Sequence, residues 1–461
     1  MKPLHPHLSI HAAALVCALT MLPVGAAHAL SFAQAWQAAY QFDAQYQAAS
    51  YELAAARQSI PIARAALLPQ VALNVSSSEV VGTRDFPNSL NQQVRTRLDY
   101  SAPQSALTLR MPIFNREAQV RLMQVTAQTE VAESIYRLKG LDLVDRLVVA
   151  YIQVLLAGEG RQLALAQVQA QMVQLEQLQQ RLLRGEGTKV DTTQSQAALD
   201  MARVRVTEAS DQLELTRRQL RRITGVATPP LLQLPADYRP APLLHESLTE
   251  WLTVAVRQNP SLQAREQALV AARMNVKRNF AAHFPRLDLV ASVSRSQNES
   301  TSNLNQTTAL RSLGMQLNVP LFSGGGIDAS VKQAVAEQSR AEEEIRIERE
   351  GLEIEVQRYY QAVATGQGRM DATRNAVEAA EFTLQGTGRA LQLGLATGND
   401  VADTVSRLYA ARRELAQSRF DYLLARARLM VQAGMPMTDV AAEIDRVLGA
   451  APAATPPSNR P

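Results

Sequence analysis

Two carboxylates three residues apart, Asp400 and Asp403, sit in a stretch that reads LGLATGNDVADT from 393 to 404. Residues three apart share one face of a helix, so this pair could act as acid and base, as part of a cation site, or in helix capping. Part of the pattern occurs twice. G-x-x-T-x-x-D is Gly185, Thr188 and Asp191 in the first place and Gly394, Thr397 and Asp400 in the second, 209 residues later. Glycine where a helix stops suits a left-handed C-cap. The threonine that follows suits an N-cap, with aspartate three residues on as its capping-box partner. Capping accounts for Asp191 and Asp400. It does not account for Asp403, whose counterpart in the first copy is Gln194. No nucleophile, metal cluster or cofactor loop accompanies the pair, which argues against an enzyme. The glycine run 324–326 lacks phosphate-loop spacing and reads as a strand-to-helix turn. No cofactor and no metal are expected.

The elements around these acids come from a duplication. Pro69 and Leu73 reappear as Pro285 and Leu289; Leu109, Pro112 and Phe114 as Leu317, Pro320 and Phe322; Tyr151, Gly158 and Gly160 as Tyr359, Gly366 and Gly368. The repeat is far longer than a solenoid unit of about 20–50 residues, so it is two copies of one module. The divisions expected are a signal peptide at 1–29, a first repeat at 30–225 and a Pro-rich connection at 226–246. A second repeat follows at 247–435, then a C-terminal tail at 436–461 whose end is expected to be disordered. Each repeat runs helix, two strands, very long helix, break, long helix. The opening helices are placed at 32–67 and 248–283. The first long helix, at 116–183, would span about 100 Å. Leu165, Val168, Met172, Leu175 and Leu182 predict its packing seam, and Leu408, Leu415, Tyr422 and Leu429 that of the last helix. The glycine pairs mark kinks or close helix approaches.

Composition agrees. The chain has 461 residues, 46% hydrophobic but 5% aromatic, which suits long helices better than a large globular core. A net charge of +4 makes no case for nucleic acid. Lys2, the apolar run 12–22 and Ala27-His28-Ala29 form a secretory leader with cleavage expected after Ala29. Cys17, the only cysteine, leaves with it. No later apolar run approaches the roughly 20 residues of a spanning helix.

The strands must then explain any membrane residence. Leu107, Leu109, Met111 and Ile113 alternate with small or polar residues, as do Leu313, Met315, Leu317, Val319 and Leu321. The tracts between strands, 76–105 and 296–308, read as long polar turns. A membrane barrel turns its apolar face to lipid and its polar face to a lumen, and lipid tolerates no open edge. Four strands cannot close, whereas a homotrimer would supply twelve. Phe114, Phe284 and Phe322 at the helix side of the strands suit an interfacial girdle. A soluble sandwich is the alternative for the strands, and a soluble periplasmic coiled-coil scaffold or adaptor the alternative for the whole chain.

The sequence resembles the TolC family of outer-membrane ducts. The stretches that carry this are LLPQVAL at 67–73, LRRITG at 220–225, FPRLDL at 284–289 and VPLFSGGGIDASVKQA at 319–334. The G-x-x-T-x-x-D-V segment at 394–401 and LYAARREL at 408–415 complete it. The resemblance implies an α+β membrane protein: a trimeric twelve-stranded β-barrel, four strands per chain, on a long periplasmic α-helical barrel. It implies an exit duct for secreted protein or small molecules, a periplasmic adaptor and an inner-membrane ABC or other transporter as partners, and outer-membrane lipid around the strands. It also implies that Asp400 and Asp403 line the periplasmic entrance, and that Asp191, with Thr188, Thr397, Gly185 and Gly394, belongs to the closing hairpins. The family's basic and tyrosine partners for that closure fall here on Ala396 and Leu391; Arg389 is the nearby basic residue that could substitute.

Overall fold

The computed structural model describes residues 29–227, 232–235, 237–298 and 306–449. The expected leader (1–28 of it) and the chain end from 450 lie outside these, as do residues 299–305 of the turn expected at 296–308. The first repeat runs α1 (Phe32–Phe42), α2 (Ala44–Ala65), β1 (Gln70–Pro87), β2 (Gln93–Asn115), α3 (Arg116–Leu183) and α4 (Lys189–Thr224). The second runs α5 (Leu248–Gln258), α6 (Pro260–Ala281), β3 (Arg286–Asn298), β4 (Gln306–Asn318), α7 (Gly326–Gln392) and α8 (Gly398–Gln432). Helix lengths match pair by pair: 11 and 11, 22 and 22, 68 and 67, 36 and 35 residues.

Each opening helix, expected as one rod, is two. The breaks are at Asp43 and Asn259, equivalent positions 216 apart. Asp43 accepts the N–H of Tyr46 and caps α2; Asn259 accepts those of Ser261 and Leu262 and caps α6. Both caps also bind across the fold. Asp43 takes both terminal nitrogens of Arg146 at 3.0 and 3.1 Å, and Asn259 donates to the Gln432 carbonyl at 2.8 Å. Pro260 at the first turn was the local sign of the second break.

The core lies at mid-length of the long helices. Phe32, Tyr151, Trp251, Leu220, Phe420 and Ile444 are fully buried there, where α1, α3, α4, α5, α8 and a ninth helix meet. That ninth helix, α9 (Met437–Val447), occupies the segment expected to be tail. Val440, Ala441 and Ile444 bury its apolar side, and Asp445 accepts the Phe32 and Ala33 N–H groups at 2.7 and 3.0 Å. Two arginines on α8 fix the Pro-rich connection by its main chain. Arg419 donates to the carbonyls of Leu234 and Pro235, and Arg426 to those of Ala241 and Pro242.

The strands form one antiparallel sheet in the order β1-β2-β3-β4, so β1 and β4 are both open edges. Among the described residues, no helix packs across it. One face reads Val71 and Leu73 on β1, Leu109 and Leu107 on β2, Ala291 and Val293 on β3, then Leu313 on β4. Leu73 is 67% exposed and Leu313 75%. The other face carries Asn74, Thr108, Ser292 and Ser312, with Arg110 and Arg286 both paired to Asp288. Such a sheet has an apolar side that none of the described residues covers and a hydrophilic side fit for water. The tract 76–105, expected as a polar turn, is mostly strand: β1 and β2 pair without a break from Gln70↔Arg110 to Pro87↔Gln93, leaving a turn at 88–92.

Candidate functional site

The duplicated motif lies at the end of the long helices remote from the sheet. α3 stops at Arg184 and α7 at Leu393; the next residues, Gly185 and Gly394, take φ of +73° and +75°. That left-handed turn is where glycine is favoured over any other residue. Thr188 and Thr397 then cap α4 and α8, their hydroxyls accepting the N–H of Asp191 at 3.1 Å and of Asp400 at 3.2 Å.

The two aspartates diverge from there. Asp400 completes its capping box: Oδ2 accepts both the Thr397 N–H and hydroxyl, each at 2.8 Å. Those two bonds hold its carboxyl below the usual aspartate range. Asp191 makes no such box, contrary to expectation. It accepts the Thr188 hydroxyl at 2.6 Å and, with its other oxygen, the Gly398 N–H at 3.2 Å. Its second bond therefore crosses from the first hairpin to the first turn of α8. Gly398 permits this, since a Cβ there would lie 2.7 Å from Leu178 and 3.1 Å from Asp191.

A second tie runs the same way. Arg181 Nη1 donates to the Leu391 carbonyl at 2.7 Å, an acceptor at the end of α7 that also takes the Gly394 N–H at 3.1 Å. Sequence reasoning missed Arg181 and pointed to Arg389. It sought a side-chain partner for each closing residue, whereas both ties end on backbone, which any residue at 391 supplies. Asp403 is exposed on the first turns of α8, one turn beyond Asp400. Among the described residues, no three metal-type side chains of one chain converge.

Above the hairpins, the α3–α8 seam departs from expectation. Leu165 and Met172 are more than 40% exposed within the chain, while Ala164, Gln167 and Gln171, one position before Leu165, Val168 and Met172, are buried; Leu175 is buried as expected. Gln171 donates to the Ala402 carbonyl at 3.2 Å and Gln167 accepts from Arg413 at 3.1 Å. The α8 seam is as predicted at Leu408, Tyr422 and Leu429, all buried. Of the four mid-helix glycines, Gly366 alone shows a close approach, to the Tyr422 ring.

The family profile described as outer membrane efflux protein matches residues 25–226 and 251–435, both repeats. The chain belongs to the outer membrane efflux protein family. It is similar to the proteases secretion protein PrtF of Dickeya chrysanthemi, 32% identical over 92% of each chain. It is similar to the alkaline protease secretion protein AprF of Pseudomonas aeruginosa, 32% identical over 89% of this chain and 85% of that one. Its fold is that of crystal structures of CusC, with a TM-score of 0.75 and 18% identity, over 88% of this chain and 92% of that one.

The expected fold and location follow for this efflux-family chain. Three copies close the open edges into a twelve-stranded barrel in the Gram-negative outer membrane, and the helices form its periplasmic barrel. It is a channel of a tripartite export system, with an adaptor and an inner-membrane transporter, and not an enzyme. The scaffold alternative fails on the uncovered apolar sheet.

Proposed function

We propose that this channel is the exit duct of a type I secretion system and passes a secreted protein received from an inner-membrane ABC transporter. The observation that carries this is the resemblance to PrtF and AprF, both named for protease secretion and both matched along nearly their whole length. The apolar sheet face meets outer-membrane lipid, and nucleic acid has no part. Asp400 and Asp403 face the periplasmic mouth, where three chains contribute six carboxylates. A ring of acids at a constriction attracts cations and can hold multivalent ones. Asp191 and Arg181 keep the two hairpins of each chain together at that mouth until the adaptor engages.

The test is exchange of function. Placed in a Dickeya strain lacking PrtF, the gene is expected to restore export of proteases to the medium. In a strain lacking a drug-efflux channel it is expected to leave drug tolerance unrestored. Restored tolerance with no protease export would reverse the assignment.

A further inference from the structure

Beyond the four-stranded region, β1 and β2 continue as a two-stranded ribbon, because β3 pairs with β2 only from Gln104 inward. Along that ribbon the apolar face changes sides. Near the helices the apolar residues of β1 are Val71, Leu73 and Val75, on the lipid side. Farther out they are Val80, opposite Tyr100, and Phe86, opposite Val94, with Leu98 between them, all on the pore side; the pair Arg84 and Thr96 is the polar rung on that side, between Leu98 and Phe86. The lipid side there carries Glu79, Thr83, Asp85 and Arg97, with Val81 the exception. Asp85 and Arg95 are joined on that side by two bonds of 2.7 and 2.9 Å. Val80, Arg84, Phe86, Thr96, Leu98 and Tyr100, all on the pore side, are half-buried within one chain, while the opposite face is exposed throughout. Its tip is fixed, since the Asn88 side chain accepts the N–H groups of Leu90 and Gln92.

Reach decides what this half-buried face can meet. Twelve strands about 4.8 Å apart, tilted about 40°, give a rim with a radius of roughly 12 Å. The described part of β4 has 13 residues, and paired from Gln70 those residues of a neighbouring β4 cover β1 as far as Gly82. The rungs beyond, from Thr83 to Pro87, extend about 17 Å past that limit. That length exceeds the radius of the rim, so ribbons that lean inward are long enough to meet their counterparts from the other two chains at the axis.

We propose that the three ribbons of a trimer pack Phe86, Leu98 and Tyr100 against one another over the pore and form an apolar outer seal. Hydrophobic constrictions close pores by excluding water. The seal would hold the outer end shut between passengers, independently of the acids at the periplasmic end. This rests on the trimeric barrel, and the ribbons are its continuation.

The mature chain is expected to lack cysteine, so single thiols report cleanly. Phe86→Cys, oxidised in outer-membrane vesicles, is expected to give disulfide-linked dimers on denaturing gels; Thr83→Cys, on the lipid-side face, is not. Equal cross-linking of the two, or none in Phe86→Cys while native gels show trimer, overturns the seal. A wild-type protein without trimer on native gels removes the barrel as well. A second readout uses Ser292→Cys on the lumen face, labelled on intact cells by a bulky impermeant maleimide. Adding Phe86→Ser and Leu98→Ser is expected to speed labelling several-fold; an unchanged rate overturns the proposal. Quenching of a bimane at position 86 by brominated lipid would assign the face to the membrane and overturn it too.

Discussion

Asp400 Oδ2 is engaged by Thr397, so in the proposed acid ring Oδ1 is the oxygen left for a cation. Asparagine at 400 keeps a side-chain oxygen for the cap, so Asp400→Asn with Asp403→Asn is expected to weaken block by di- and trivalent cations in planar bilayers while the trimer persists. Undiminished block would remove both acids from the mouth. The pH dependence has a definite sign. A carboxyl held below its ordinary value of about 3.9 stays ionised at pH 4. With Asp403→Asn isolating Asp400, residual block is expected to survive at pH 4 and fade only below it. The capping contribution behaves alike, present above the unfolded-state pKa and lost as pH falls through the folded one.

At the scale of elements, the hairpin ends are joined by side chain to main chain. Arg181→Met and Asp191→Ala each remove one tie and are expected to raise the conductance of the closed channel. Asp191 is half-exposed, so its loss costs about 1 kcal/mol of stability. Gly394→Ala is expected to cost about 1–2 kcal/mol by forcing a Cβ into the left-handed region, measured as a lower thermal midpoint. These breaks were legible because glycine, threonine and aspartate act locally. The Asp43 break was not, because its cap is indistinguishable from a helical aspartate until Arg146 is seen beside it. The buried glutamine seam escaped for a related reason: its residues are polar, and their partners are on α8. The ribbon escaped because its alternation changes phase, so a pattern counted on one parity seems to stop at Val75.

In the whole molecule, stability concentrates where the short helices gird the long ones. Arg426 pairs with Glu443 at 2.7 Å, both almost wholly buried, besides holding the Pro-rich connection. Arg426→Met leaves that carboxylate to the exposed Arg446 alone and is expected to cost about 2 kcal/mol, read as a lower melting temperature of the trimer in detergent. The pairing of Asp445 with Phe32 and Ala33 joins the opposite ends of the described chain. A polypeptide threaded through the inner membrane amino end first delivers α1 long before α9. Its opening helix must wait, with two amides unanswered, until translocation is nearly finished. Completion of the core thus doubles as a check on full-length synthesis, and a chain cut short before Asp445 should fall to periplasmic proteases.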